Sequence, residues 1–340
     1  MADANASIRL KDVAQRAGVS LATASMALAG RAGVSEQTKR HVWQVSREMG
    51  YTRFRGHRSN GQSLRVGVVR IAGEHIPTGP PLHLFYDAVA RSDPAFRIEY
   101  AATPAGAGPE EVIDHVLRFA TGLDGLIVTD LVDHLLLQAL HDNRVPHVVT
   151  GHVLEEKSIP RPLPSCIVSF DVLSMGLVAA RYLLQLNHRH IGFICHTMPH
   201  GFYHEHWLRG FRLAHAERHK LPLASHIAVT SEVRGGVSAA VKRMLKLKHP
   251  PTALVVPDGE VVTPVLHALE RHRLPIKAAD IVLSAPEKIV HIHGLEAYPR
   301  IAGRNDLLVK ESLDLLRRII RGDDVTPTTV LVPATLHNIQ

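Results

Sequence analysis

Cysteine is nearly missing from this sequence: its 340 residues include only two, Cys166 and Cys195. Two thiols cannot build a disulfide framework, so the fold must rest on apolar cores, and a reducing cytoplasmic setting is expected. Aromatic residues are also scarce, at 5% of the chain. No apolar run reaches the roughly 18 residues a membrane helix needs. Charged side chains interrupt every candidate. The segment from Met1 to Asp12 lacks the basic-then-apolar pattern of an export signal. Catalytic signatures are missing as well. There is no Gly-rich phosphate loop, no Gly-x-Ser-x-Gly elbow and no His-Glu-x-x-His helix, so neither an enzyme nor a cofactor is expected.

What remains is the composition of a globular protein, 45% hydrophobic and 21% charged, long enough for two or three cored units. The net charge of +7 is unevenly placed. Residues 1–65 hold eleven Lys and Arg against four acids, and the remainder holds twenty-eight of each sign. The whole excess therefore sits in the first fifth of the chain. A basic head on a neutral body points to a polyanion partner.

Within that head, Leu10, Val13, Ala14 and Ala17 fall on one helical stripe. Gly18 suits the end of that helix, and Ser20 can cap a second, short and small-faced, running from Leu21 to Leu28. Gly30 and Gly33 break the chain. Ser35 then opens a third helix, which buries Val42, Val45 and Met49 before Gly50 stops it. Three short helices with a tight Gly-Val-Ser turn make a helix-turn-helix. Its second helix is small-faced because it must enter a major groove about 12 Å wide.

The run Leu10-Lys-Asp-Val-Ala-Gln-Arg-Ala-Gly-Val-Ser-Leu-Ala-Thr-Ala-Ser25, with Val34-Ser-Glu-Gln-Thr38 and Met49-Gly-Tyr51, resembles the LacI/GalR family of bacterial transcription regulators. The resemblance implies a DNA-binding set. Leu10, at the start of the first helix, stands where the family makes a backbone contact, and Thr23 and Ser25 where it holds phosphates or base edges; Ser20 belongs to the same DNA-binding set. Leu21 and Ala22 stand where it reads bases, and such side chains favour thymine methyls. Core packing is the competing reading for Leu21 and Met26. Met26 replaces the family's usual arginine and cannot make a bidentate guanine pair; Ala29 likewise replaces a usual asparagine. Arg31, Val34 and Tyr51 complete the carried-over set.

Residues 51–65 lack the family's proline and its leucine-bearing hinge helix, and Gly56 and Gly61 disfavour a helix there. Arg53, Arg55 and Arg58 could reach phosphates or a narrow A·T minor groove. A basic linker without such contacts is the equal alternative.

From residue 66 the pattern alternates short apolar strands with helices, in two βα series of similar length. The first series starts at Val66 and the second at Cys166. Two parallel-sheet lobes are expected, with a ligand cleft at the carboxyl ends of their strands. This resembles the periplasmic-binding-protein-like sensor of the same family. The expected fold class is thus α/β, with an all-α helix-turn-helix domain at 1–50, a linker at 51–65 and a two-lobed sensor and dimerisation domain at 66–340. Lobe 1 is expected at about 66–163 and 291–325, and lobe 2 at about 164–290 and 326–340.

For the effector, the resemblance points to Asp171, Trp207, Asp258 and Arg304. Trp207 replaces an arginine that grips ligand hydroxyls and is read as an aromatic platform. Histidine is abundant, at 24 residues, and Cys195, His196, His200, His204 and His206 crowd one segment. Their spacing matches no zinc pattern, and no metal is assigned.

The reading is a sequence-specific DNA-binding transcription regulator, a homodimeric repressor of operator DNA controlled by a small molecule, for which the resemblance implies a carbohydrate. One alternative is a regulator whose degenerate sensor serves only dimerisation or protein docking. The other, a solute-binding protein or enzyme of related fold, is opposed by the missing signal and the basic head.

Overall fold

The computed structural model describes residues 10–28, 33–49, 63–72, 82–91, 96–153, 165–196, 202–218, 222–232, 235–272, 276–284 and 297–337. The head comprises α1 (Leu10–Arg16), α2 (Leu21–Leu28) and α3 (Glu36–Glu48). Gly18 takes a left-handed φ of +65° and turns the chain between α1 and α2. The Ser20 hydroxyl accepts the Thr23 N–H at 3.0 Å, and the Ser35 hydroxyl accepts the Thr38 N–H at 3.1 Å. Both are helix N-caps, as the sequence predicts. Val13, Ala14, Ala17, Ala24, Ala27, Leu28, Val42 and Val45 form the core of the head.

Behind it, the chain continues as β1 (Leu64–Arg70), α4 (Leu82–Arg91), β2 (Phe96–Ala102), α5 (Pro109–Phe119), β3 (Gly125–Val132), α6 (His134–Asp142), β4 (His147–Val153) and β5 (Cys166–Phe170). Next come α7 (Val172–Gln185), β6 (Ile191–His196), α8 (Phe202–Ala216), β7 (Ile227–Thr230), α9 (Gly235–Leu245), β8 (Ala253–Val256), α10 (Gly259–Arg271) and β9 (Ile281–Ser284). The chain closes with β10 (Arg300–Gly303), α11 (Asn305–Arg321), β11 (Thr329–Val332) and β12 (Ala334–His337).

These elements make two six-stranded sheets, ordered β11-β5-β4-β3-β1-β2 and β12-β10-β9-β8-β6-β7. β1 to β5 pair in parallel, as do β6 to β10, and β12 runs antiparallel to β10. Central strands such as Leu126-Ile127-Val128 are buried on both faces, which explains why they read as continuous apolar runs.

One compact unit holds residues 1–169 and 305–330, the other 170–304 and 331–340. The crossings thus fall later than the 163, 290 and 325 expected from sequence. Register is the reason. Cys166, Ile167 and Val168 pair with Val148, Val149 and Thr150, so β5 joins the first sheet, between β4 and β11, instead of opening the second. Arg300 and Ile301 pair with Leu283 and Ser284, holding β10 in the second.

His147 marks a buried polar point in the first unit. Its Nδ1 donates to the Val145 carbonyl at 2.7 Å, so Nε2 is left to accept from the Ser165 hydroxyl, also at 2.7 Å. The neutral ring is fully satisfied. Burial pushes its pKa down to about 4. The unfolded chain binds the proton near pH 6.5 and the native state does not, so stability is complete above pH 6.5 and is lost as pH falls towards 4. The expected loss is about 3 kcal/mol at 1.4 kcal/mol per unit. Denaturant titrations between pH 7 and pH 4 should show it, and His147→Gln should flatten the dependence.

Candidate nucleic-acid interface

The small core of the head decides which side of α2 is available. Ala24, Ala27 and Leu28 point inward and are buried. Leu21 is 54% exposed, and Ala22 is exposed beside it. Exposure on that scale removes core packing as the explanation of Leu21. Ser25 and Met26 are half-buried on the flank. Ser20 and Thr23 also share a 2.8 Å hydroxyl–hydroxyl contact at the first turn. Leu10 and Val34 are half-buried, with their side chains packed against the core of the head.

Lys11, Arg16 and Arg40 are exposed on α1 and α3. They were not singled out by motif, although the charge count includes them. Arg31, Tyr51, Arg53, Arg55 and Arg58 lie outside the described residues, as do residues 51–62 of the expected linker, whose last two residues, Leu64 and Arg65, open β1.

The effector residues are placed differently from one another. Asp171 caps α7: its carboxylate accepts the Ser174 N–H at 3.0 Å and the Ser174 hydroxyl in a short contact. Those bonds satisfy the helix end and occupy the carboxylate. Trp207 is 0% exposed, within the core built by Met175, Phe193, Phe211 and Val255. The expectation of an open aromatic platform is therefore corrected. The cause lies in α7 and α8, which cross closely because Gly176 and Gly210 face backbone. A Cβ on Gly176 would lie 2.0 Å from the Trp207 carbonyl oxygen. The crossing draws the indole into the core.

Asp258 follows β8 at the carboxyl end of the second sheet. Its charge reaches Cys195, Tyr203 and His204. Burial pushes the Cys195 thiol up to about 12, with the Asp258 charge adding to it, so this cysteine is an inert core group. Burial pushes the His204 imidazole down, and its Nδ1 is buried without a partner. Arg304 follows β10 and is half-buried. Among the described residues, no three or more His, Cys, Asp or Glu side chains are arranged to hold a metal ion.

The first unit carries its own polar groups at the carboxyl end of its strands, which motif reading missed. Arg70 pairs with the buried Asp130 at 3.1 Å, and the His152 ring bonds the Ser169 hydroxyl at 2.9 Å. Asp130 holds a left-handed φ of +77°. A Cβ on neighbouring Gly151 would lie 2.5 Å from the Asp130 carbonyl oxygen, so a glycine is required there. The signal in sequence was weak: isolated polar residues at the ends of apolar runs.

Residues 9–53 match the lacI family of bacterial regulatory proteins, and residues 180–276 match a periplasmic binding protein-like domain. The chain is 25% identical over 280 residues to catabolite control protein A of Priestia megaterium, covering 79% of each. It is 26% identical over 289 residues to the regulator AglR of Rhizobium meliloti, covering 83% of this chain and 78% of that one. The fold is similar to the lac repressor dimer bound to operator and the anti-inducer ONPF. The TM-score is 0.63 at 19% identity, covering 98% and 99% of the two chains. It is similar also to the regulator CelR in complex with cellobiose, with a TM-score of 0.61 at 19% identity and 97% and 98% coverage. No described helix is long and apolar enough to cross a membrane. With a capped helix-turn-helix first in the chain and two parallel-sheet units after it, the chain is similar over most of its length to bacterial transcription regulators, and its residues 9–53 match the lacI family.

Proposed function

We propose that the protein is a homodimeric repressor in which each head reads one operator half-site and the α/β units bind a small-molecule effector. The observation carrying this reading is the amino-terminal turn of α2, where Leu21 and Ala22 stand exposed while Ala24, Ala27 and Leu28 further along the helix are buried. Leu21 and Ala22 meet thymine methyls in the major groove. Ser20, Thr23 and Ser25 lie close to phosphates, as do the main-chain groups at Leu10 and Val34. Arg31, Tyr51, Arg53, Arg55 and Arg58 add contacts from segments flanking the helices.

Met26 sits where an arginine would take guanine. Met26→Arg is expected to shift base preference at one operator position by about 1–3 kcal/mol. Parallel selections from random DNA with both proteins check this, and identical preferred sequences would show that residue 26 does not face the bases.

The effector reading rests on Asp258 and the buried, unpaired His204 Nδ1 at the carboxyl end of the second sheet, with Arg304 nearby in sequence to β10. A neutral hydroxyl-bearing ligand suits them, and the cellobiose held by CelR supports a carbohydrate. Ligand binding would shift the population between arrangements that do and do not grip DNA. A screen of mono- and disaccharides for thermal stabilisation and operator release tests it. Asp258→Asn should weaken the response of any hit by about 1–3 kcal/mol, the cost of an unpaired buried hydroxyl. A second reading, a sensor kept for dimerisation or docking only, is favoured by Asp171 being taken up as a cap and Trp207 being taken up in the core. A screen without hits would select it.

A further inference from the structure

The second unit contains a cavity of about 610 Å³ at the amino end of β6, the opposite end of that sheet from Asp258. That volume suits a small organic molecule. Leu184, Ile191 and Leu223 give it an apolar wall. Asn187, Pro222, four histidines and two arginines supply the rest, and among the described residues no aspartate or glutamate lines it.

Two imidazoles in this wall are fixed in place and incompletely bonded. His215 is 3% exposed, and its Nδ1 donates to the Phe211 carbonyl at 2.9 Å. Its Nε2 is buried and has no partner. The His190 ring is stacked on His249, with centroids 5.2 Å apart, and meets the edge of His226 at 5.5 Å. His226 is itself held by a bond from Nε2 to the His249 carbonyl at 2.8 Å. The His190 Nδ1 is likewise buried without a partner. Folded proteins pair nearly all such atoms, and both belong to residues that line one cavity, where an occupant with polar groups of its own would meet them.

Electrostatics selects the sign of that occupant. Burial pushes both imidazoles below their ordinary range, and the neighbouring His226, His249 and Arg189 push His190 down further. Arg189 and Arg218 both line the cavity, and among the described residues neither forms an ion pair. An anion placed there would meet two guanidinium groups and draw a proton onto the imidazoles.

We propose that this cavity is a second ligand site, for a small organic anion whose carboxylate or phosphate sits among His190, His215 and Arg218 and whose apolar body lies on Leu184 and Leu223. It does not depend on the effector reading above, and either can fail without the other.

Calorimetric titration of the full chain with phenyl phosphate, phenylacetate and benzyl alcohol tests the proposal. Saturable binding of at least one of the two anions is expected, with none for the neutral alcohol; the better anion identifies the headgroup. His215→Phe keeps a ring packed against Phe211, now at 4.5 Å between centroids, and Arg218→Gln changes an exposed side chain that leaves the core intact. Each should weaken binding at least tenfold. Failure of both anions to bind, equal binding of benzyl alcohol, or affinity unchanged in Arg218→Gln would overturn the assignment. The last result would place the anion elsewhere, on the basic head.

Discussion

A chain shortened to residues 63–340 is expected to lose operator binding outright while its two α/β units still fold. The head supplies its own core from residues 13–45 and makes both of its helix caps internally. The removed residues 1–62 also carry +6 of the net charge of +7, since the residues from 66 onward are balanced and only Arg65 stays with the shortened chain. Specific operator affinities lie at about 10⁻⁸–10⁻¹¹ M and non-specific ones at about 10⁻⁴–10⁻⁶ M. Loss of the head should therefore weaken binding at least a thousandfold. For the intact chain, the logarithm of affinity should fall with the logarithm of salt concentration by about 0.9 per phosphate neutralised. Fluorescence anisotropy at fixed salt measures the affinity, and circular dichroism verifies that the shortened chain is folded. Tight binding by that chain would remove the head from the account.

Trp207→Ala should cost about 3–5 kcal/mol of stability, the range for emptying the space of a buried aromatic side chain. The indole is fully buried among Met175, Phe193 and Phe211, beside the crossing of α7 and α8. Gly210 allows that crossing: a Cβ there would lie 2.0 Å from the Leu173 carbonyl oxygen. Trp207→Phe should cost less because it keeps a ring in the space. Urea unfolding of the two variants separates a core role from a ligand platform. A Trp207→Ala protein as stable as the parent, yet blind to an effector, would contradict the buried placement.

The head was legible because its determinants are local. Ser20 and Ser35 stand three residues before the threonines whose N–H groups they cap, and Gly18 stands where the turn needs a positive φ. The strands up to β9 were legible as apolar runs. β10, β11 and β12 were not, since Arg300–Gly303 and Ala334–His337 lack a continuous apolar run of three residues and Thr329–Val332 is largely exposed. Nor can an apolar run disclose which sheet it joins. Cys166–Phe170 looks the same in either, and only pairing with β4 decides. The site residues divide in the same way. Asp171 as a cap was readable from Ser174 three positions on, whereas the burial of Trp207 depends on two glycines, one of them thirty-one residues earlier at Gly176. His190 and His215 share a cavity only through the fold.

Selection from random-sequence DNA with the full chain, followed by footprinting, tests the central claim most directly. The account expects enrichment of one motif made of two inverted half-sites about one helical turn apart, each contacted through the major groove. Recovery of DNA without any preferred sequence, at salt high enough to suppress non-specific binding, would contradict it.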